Sequence, residues 1–247
     1  MTTSESSGAE ARVYNILNPD DFIVAGDIEN GKAIASHIEN YIGKIESTLD
    51  AIENDHVHIL IYWVKPAEDR PFHTIITSGM SDKPMLVPKG LEEHQYAELC
   101  LLLPKEWPVE TLVHHDDNNF ENEHHYWPMR WLKMIAGFPH KNETWIGNGH
   151  TIPNGEDADN FADNTRLGCI LLLPSFSLGG DFFTLKRAED KTIRFYCMYP
   201  IYREEMNFKL EKGSDALVEK FEKNNIRDIV DIKRVNTCRK KGLFGWW

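Results

Sequence analysis

Three short segments hold the residue types from which a chemical site could be built. The first is HHDDNNFENEHH, His114 to His125, with four histidines and four carboxylates in twelve residues. Imidazole and carboxylate both ligate divalent metals, so the activity such a set would serve is that of a metal-dependent hydrolase. Adjacent histidines on an extended chain point apart, however, and the segment has no periodicity that would anchor it. It reads as a solvated acidic loop, and no metal or other cofactor is assigned to the chain. The second segment is ITSGMSD, Ile76 to Asp82. An apolar β-branched run stops at Gly79, and Ser81 follows two residues later, like half of a nucleophile elbow. An elbow wants G-x-S-x-G on a strand-to-helix turn. Here Asp82, Lys83 and Pro84 follow the serine, and Pro84 disfavours helix at Lys83. Eleven histidines make a triad partner easy to find and therefore uninformative. A structural turn, with Gly79 supplying unusual dihedrals and Ser81 or Asp82 bonding backbone, is the better account. No catalytic residue is assigned.

The third segment is ETWIGNGHTIPNG, Glu143 to Gly155, rich in turn formers around Trp145, Ile146 and Ile152. It is either a recognition surface or a loop whose tryptophan plugs the edge of the core. The tail RKKGLFGWW sets five basic residues, between Lys233 and Lys241, beside Trp246 and Trp247. Such a tail can bind a membrane interface or a partner groove, or fold back over its own core.

These segments need a scaffold, and the chain has material for one. It has 247 residues, 41% hydrophobic and 11% aromatic, which is a globular composition. A formal net charge of −12 argues against nucleic acid or anionic lipid and suits a basic protein partner. Cys100, Cys169 and Cys197 sit in apolar runs, and with Cys238 none forms a C-x-x-C pair. They are expected to be reduced, as in a cytoplasmic protein. The polar start MTTSESSGAEAR has no apolar signal region, and no run approaches the ~18 apolar residues that span a bilayer.

Residues 1–12 are expected to be disordered and 13–247 to form one domain. Ile34, Ile38, Ile42, Ile45, Leu49 and Ile52 recur at three- and four-residue spacings, which predicts one amphipathic helix over roughly 32–53. Strands are predicted over 56–64, 72–78, 96–103, 167–173 and 192–199, with a short one over 182–185. Residues 105–126 are predicted to be a long loop, and 129–138 a helix with Pro128 in its first turn. Gly179-Gly180 marks a turn, and Ser214 is a candidate cap for a helix carrying Leu217, Val218 and Phe221. Runs such as LCLLL and CILLL are apolar on both faces and need helices on both sides. The irregular order of elements predicts a mixed sheet, not a doubly wound parallel one.

Taken in order, FHTIITSGMSD, AELCLLLPKEWP, WPMRWLKMIAGF, ETWIGNGHTI, LGCILLLP and FYCMYPIYREEMNFKLEKGSDAL resemble the suppressor-of-fused (SUFU) family. The resemblance runs from about His56 to Lys233. It implies an α/β fold of the α+β type, with a mixed, largely antiparallel sheet flanked by helices, and a non-enzymatic protein-binding function. Eukaryotic members sequester zinc-finger transcription factors through a short peptide and carry a second, C-terminal domain. This chain resembles the compact single-domain bacterial members, which implies an immunity protein that neutralises a cognate toxin by binding it. The family's motif residues fall on Ser78, Gly79, Ser81, Asp82, Phe138, Trp145, His150, Glu204 and Glu205, the expected partner-binding set. Phe138 stands where eukaryotic members have tyrosine, and Gly149 where they have a ligand-binding aspartate. A peptide-binding regulator of another protein is the alternative that keeps the same surface.

Overall fold

The computed structural model describes residues 13–14, 27–53, 57–113 and 123–239. Residues 1–12, the expected disordered segment, and the tail from 240 onward lie outside the described residues, as does 114–122.

Helix α1 (Ile28–Tyr41) starts at Asp27, whose Oδ1 accepts from Asn30 N at 3.1 Å. It buries Ile34 and Ile38 completely. It ends before Gly43, whose φ of +139° no side-chain-bearing residue adopts easily. Strand β2 (Ile45–Glu53) follows, so the long helix predicted over 32–53 is a helix and a strand. The register of β2 shifts between Ile45 and Ser47 and again between Asp50 and Ile52. A bulge turns the following side chain to the other face. That is why Ile45 packs with α1 while Leu49 joins the opposite face of the sheet. The three- and four-residue spacing was therefore helix-like without being helical.

Strands β3 (His58–Val64) and β4 (Phe72–Ser78) form a meander with β5 (Tyr96–Pro104). Further along lie β6 (Thr151–Pro153), β7 (Leu167–Leu173), β8 (Thr184–Lys186) and β9 (Thr192–Tyr202). With the two-residue β1 (Val13–Tyr14) the sheet runs β1-β2-β3-β4-β5-β9-β7-β6, and β8 pairs with the start of β9. Only the β5–β9 pairing is parallel among the described strands. The sheet is thus mixed and largely antiparallel.

Both faces are covered. Ala97, Leu99, Leu101 and Leu103 of β5 pack with Trp127, Leu132 and Ile135 of α3 (Glu123–Lys141). Cys100 and Leu102 face the other way, toward α1, Met206 of α4 (Arg203–Lys212) and Leu217 and Phe221 of α5 (Ser214–Lys223). All four cysteines are free thiols.

Four expectations need correction. The segment 105–126 contains a short helix, α2 (Val109–Val113), and the first turn of α3. Pro128 therefore lies inside α3. Its missing N–H leaves the carbonyl of His124 without a helical donor, and Asn164 Nδ2 supplies one at 3.0 Å. Strand β9 continues through Pro200 to Tyr202 and passes directly into α4. The cap of α5 is Gly213, at φ +91°, not Ser214.

Candidate functional site

The ITSGMSD turn is built around Glu98 of β5. Thr77 Oγ1 donates to Glu98 Oε2 at 2.6 Å. Gly79 N, Ser81 N and Ser81 Oγ donate to Oε1 at 3.1, 2.9 and 2.6 Å. The donors are oriented by further bonds: Leu99 N donates to Thr77 Oγ1, and Asn30 Nδ2 donates to Ser81 Oγ and to Asp82 Oδ1. Asp82 Oδ2 accepts from Asp27 N, joining the turn to the start of α1. His140, in the last turn of α3, bonds the Met80 carbonyl at 2.9 Å.

Burial raises the Glu98 pKa. The hydroxyl and backbone donors at Ser81 and Thr77 oppose the shift, and the Asp82 charge adds to it. Burial also pushes the Tyr62 hydroxyl up to about 12, against a hydrogen bond with Ser78. Gly79 has φ +112°, and a Cβ there would lie 2.1 Å from the His58 carbonyl oxygen. Glycine is required by both conformation and space. Met80–Asp82 is a single 3-10 turn, not the helix that follows an elbow. Ser81 and Glu98 are both 0% exposed, so no substrate reaches the hydroxyl.

Glu205 makes a second interior hub. Its carboxylate accepts from Tyr202 N, from Thr237 N and Oγ1, and from both terminal nitrogens of Arg234. Arg234 also bonds the Pro200 carbonyl. The pair fastens the segment 231–239 across the start of α4. Glu204 is exposed and accepts from Asn236 Nδ2 at 2.8 Å.

The third group is a row of rings at the surface. Trp145 meets His150 edge-on at 4.3 Å between centroids and His94 at 6.1 Å. His94 lies 3.4 Å from the Tyr196 hydroxyl, which also bonds the backbone of Asn148. Burial, then Lys209 and His94, hold His150 below the ordinary imidazole pKa. Leu86 N donates to the carbonyl of Thr144, next to Trp145. Leu86 is exposed, as are Met134 and Phe138 on α3. Gly149, with φ +78°, would place a Cβ 2.8 Å from Ser214 Oγ. An aspartate at this position would be strained and crowded.

The structure therefore distributes the nine expected residues. Ser78, Gly79 and Ser81 are interior, Asp82 is half-buried, and His140 ties their turn to α3 two residues after Phe138. Trp145 and His150 are in contact and half-buried, and Trp145 packs against the core. Parallel pairing of β5 with β9 puts Glu204 and Glu205, after the end of β9, at the opposite end of the sheet from the Ser81 turn. His124 and His125 stand in the first turn of α3, and the rest of the acidic segment, 114–122, lies outside the described residues. Among the described residues no three His, Cys, Asp or Glu side chains gather as metal ligands. Sequence reasoning missed Glu98, Asn30 and Arg234 as partners in these hubs. Only Glu98 carried a signal, a lone acid in an otherwise apolar strand.

Fold and site define an α+β domain with a mixed sheet, whose polar motifs organise the interior and whose rings form a surface ledge. The chain belongs to the suppressor of fused family: residues 53–235 match the model for suppressor of fused protein (SUFU). A search among curated proteins finds no match. Among solved structures, the chain is similar to one described as a SUFU homologue from Neisseria gonorrhoeae FA 1090. Identity is 16% and TM-score 0.60, over 87% of this chain and 100% of that one. It is also similar to a chain of the Sufu–Fu complex, at 15% identity and TM-score 0.58, over 84% of this chain and 92% of that one. Drosophila Suppressor of Fused matches at 16% identity and TM-score 0.53; 86% of this chain covers 51% of that protein.

Proposed function

We propose that the chain is a non-enzymatic protein-binding domain of 13–247, acting in the cytoplasm as an immunity protein that neutralises a basic toxin by binding it. The observation that carries this reading is the ring contact of Trp145 with His150, together with exposed Phe138 on α3, whose His140 bonds a turn in which Ser78, Gly79 and Ser81 are interior. Large rings that are partly exposed on a rigid frame are the anchors that protein interfaces use. Phe138, Trp145 and His150 contact the partner. Ser78, Gly79, Ser81 and Asp82 set the frame beneath, while Glu204 and Glu205 lie at the other end of the sheet. Family membership supports a binding role, and one similar structure is a complex of Sufu with Fu. The formal charge of −12 favours fast capture of a basic partner. Among the described residues no helix is long and apolar enough to cross a membrane.

The test is co-expression with basic toxin-like proteins encoded beside this chain. Wild type should rescue growth, and Phe138→Ala/Trp145→Ala should not, at equal soluble protein. Equal killing with and without the wild-type chain refutes the immunity role.

A further inference from the structure

Away from the Trp145 ledge, at the C-terminal end of β9, the surface sinks into a cavity of about 720 Å³. Four arginines line it: Arg166, Arg203, Arg234 and Arg239. The chain has a formal charge of −12, so their convergence runs against its overall balance.

The four are not equivalent. Arg234 is fixed from below by Glu205 and forms a rigid part of the wall. Arg203 pairs with Asp157 on the rim. Arg166 and Arg239 are exposed, and among the described residues their guanidinium groups make no hydrogen bond or ion pair. The remaining carboxylates of the lining are Asp159 and Glu204, and Glu204 is engaged by Asn236. Arg203 and Glu204 also open α4, whose start is closed by a capping box in which Glu205 accepts from Tyr202 N. Two unpaired guanidiniums therefore face one volume. Guanidiniums offer forked donors that match the geometry of phosphate and carboxylate.

We infer that this cavity is a binding site for an oxyanion, the phosphate or carboxylate group of a small ligand. It is distinct from the proposed toxin-binding ledge. Arg166 and Arg239 grip the anion, Arg203 exchanges part of its Asp157 contact for it, and Arg234 holds the wall.

The test is calorimetric titration of the full chain with inorganic phosphate and, separately, with citrate, at neutral pH and low ionic strength, where charge interactions are least screened. Saturable binding of one anion per chain is expected. Phosphate alone assigns a phosphate ligand, citrate alone a carboxylate ligand, and binding of both supports the shared chemistry. Arg166→Ala/Arg239→Ala should weaken binding at least about tenfold. Arg166→Lys/Arg239→Lys keeps the charge but not the fork and should fall between. Arg187→Ala, outside the cavity, should bind as wild type does. Absence of saturable binding up to about 20 mM of either anion, beyond the millimolar range of weak sites, overturns the inference. So does unchanged affinity in the double alanine variant.

Discussion

Replacing Glu98 separates the interior role of the ITSGMSD turn from any chemical one. Glu98→Ala orphans four donors at once: Gly79 N, Ser81 N, Ser81 Oγ and Thr77 Oγ1. The two backbone N–H groups cannot reorient, and a buried donor left unmade costs about 1–3 kcal/mol. The two hydroxyls can rotate and cost less, about 0.5–1 kcal/mol each. Together these give a loss of about 3–8 kcal/mol, a large share of the ~5–15 kcal/mol stability of a typical domain. Glu98→Gln keeps the shape. Its carbonyl can still accept the three bonds made to Oε1, and only the Thr77 hydroxyl loses its acceptor. The expected cost near neutral pH is about 1–2 kcal/mol. Urea unfolding, followed by tryptophan fluorescence, measures both. pH adds a second signature. Burial holds the folded Glu98 pKa above the ordinary value of about 4.3. Its contribution is therefore fully present below that value and is lost as pH rises through the folded pKa. The gap between wild type and Glu98→Gln should be widest in acid and shrink on the way to neutrality. A loss below about 1 kcal/mol for Glu98→Ala, or equal losses for the two variants, would refute the hub.

Other outcomes follow from the same geometry. Gly79→Ala drives a Cβ to 2.1 Å from the His58 carbonyl, so the variant should lose several kcal/mol (about 3 or more) or fail to accumulate as soluble protein. Removing one partner of the buried Glu205–Arg234 pair, as in Arg234→Ala, should cost about 3–5 kcal/mol in urea unfolding. Replacing exposed Lys223, paired with Glu219, should cost less than about 0.5 kcal/mol. The His150 imidazole should titrate below about 6.5 by NMR. Because its folded pKa is depressed, its contribution to stability is complete above that pH and is lost as pH falls toward the folded value.

Much of the scaffold was legible because buried strands announce themselves as short apolar runs. Phe72–Ser78 and Leu167–Leu173 have the bounds their residues suggest. The failures are physical. Ile45, Leu49 and Ile52 keep helical spacing inside a strand because bulges in β2 replace strict alternation. Pro128 could be read as a helix start, but a side chain 36 residues away, Asn164, relieves the carbonyl that the proline leaves unpaired. Tyr202 ends a strand and begins a helix with no glycine or proline between them. In the site, the Ser81 turn was readable as structural from Asp82 and Pro84. Its partner in β5 was visible only as an odd glutamate. Arg234 could not be found as the partner of Glu205, because 29 residues separate them in the chain.

The most direct test of the central claim is a pull-down from the native lysate with tagged wild type and with Phe138→Ala/Trp145→Ala, read by mass spectrometry. Metal content is measured on the same eluates. The account predicts one basic, toxin-like protein recovered with wild type and lost with the variant, and no stoichiometric metal. Equal recovery by both proteins, or no protein partner together with one zinc per chain, would contradict it.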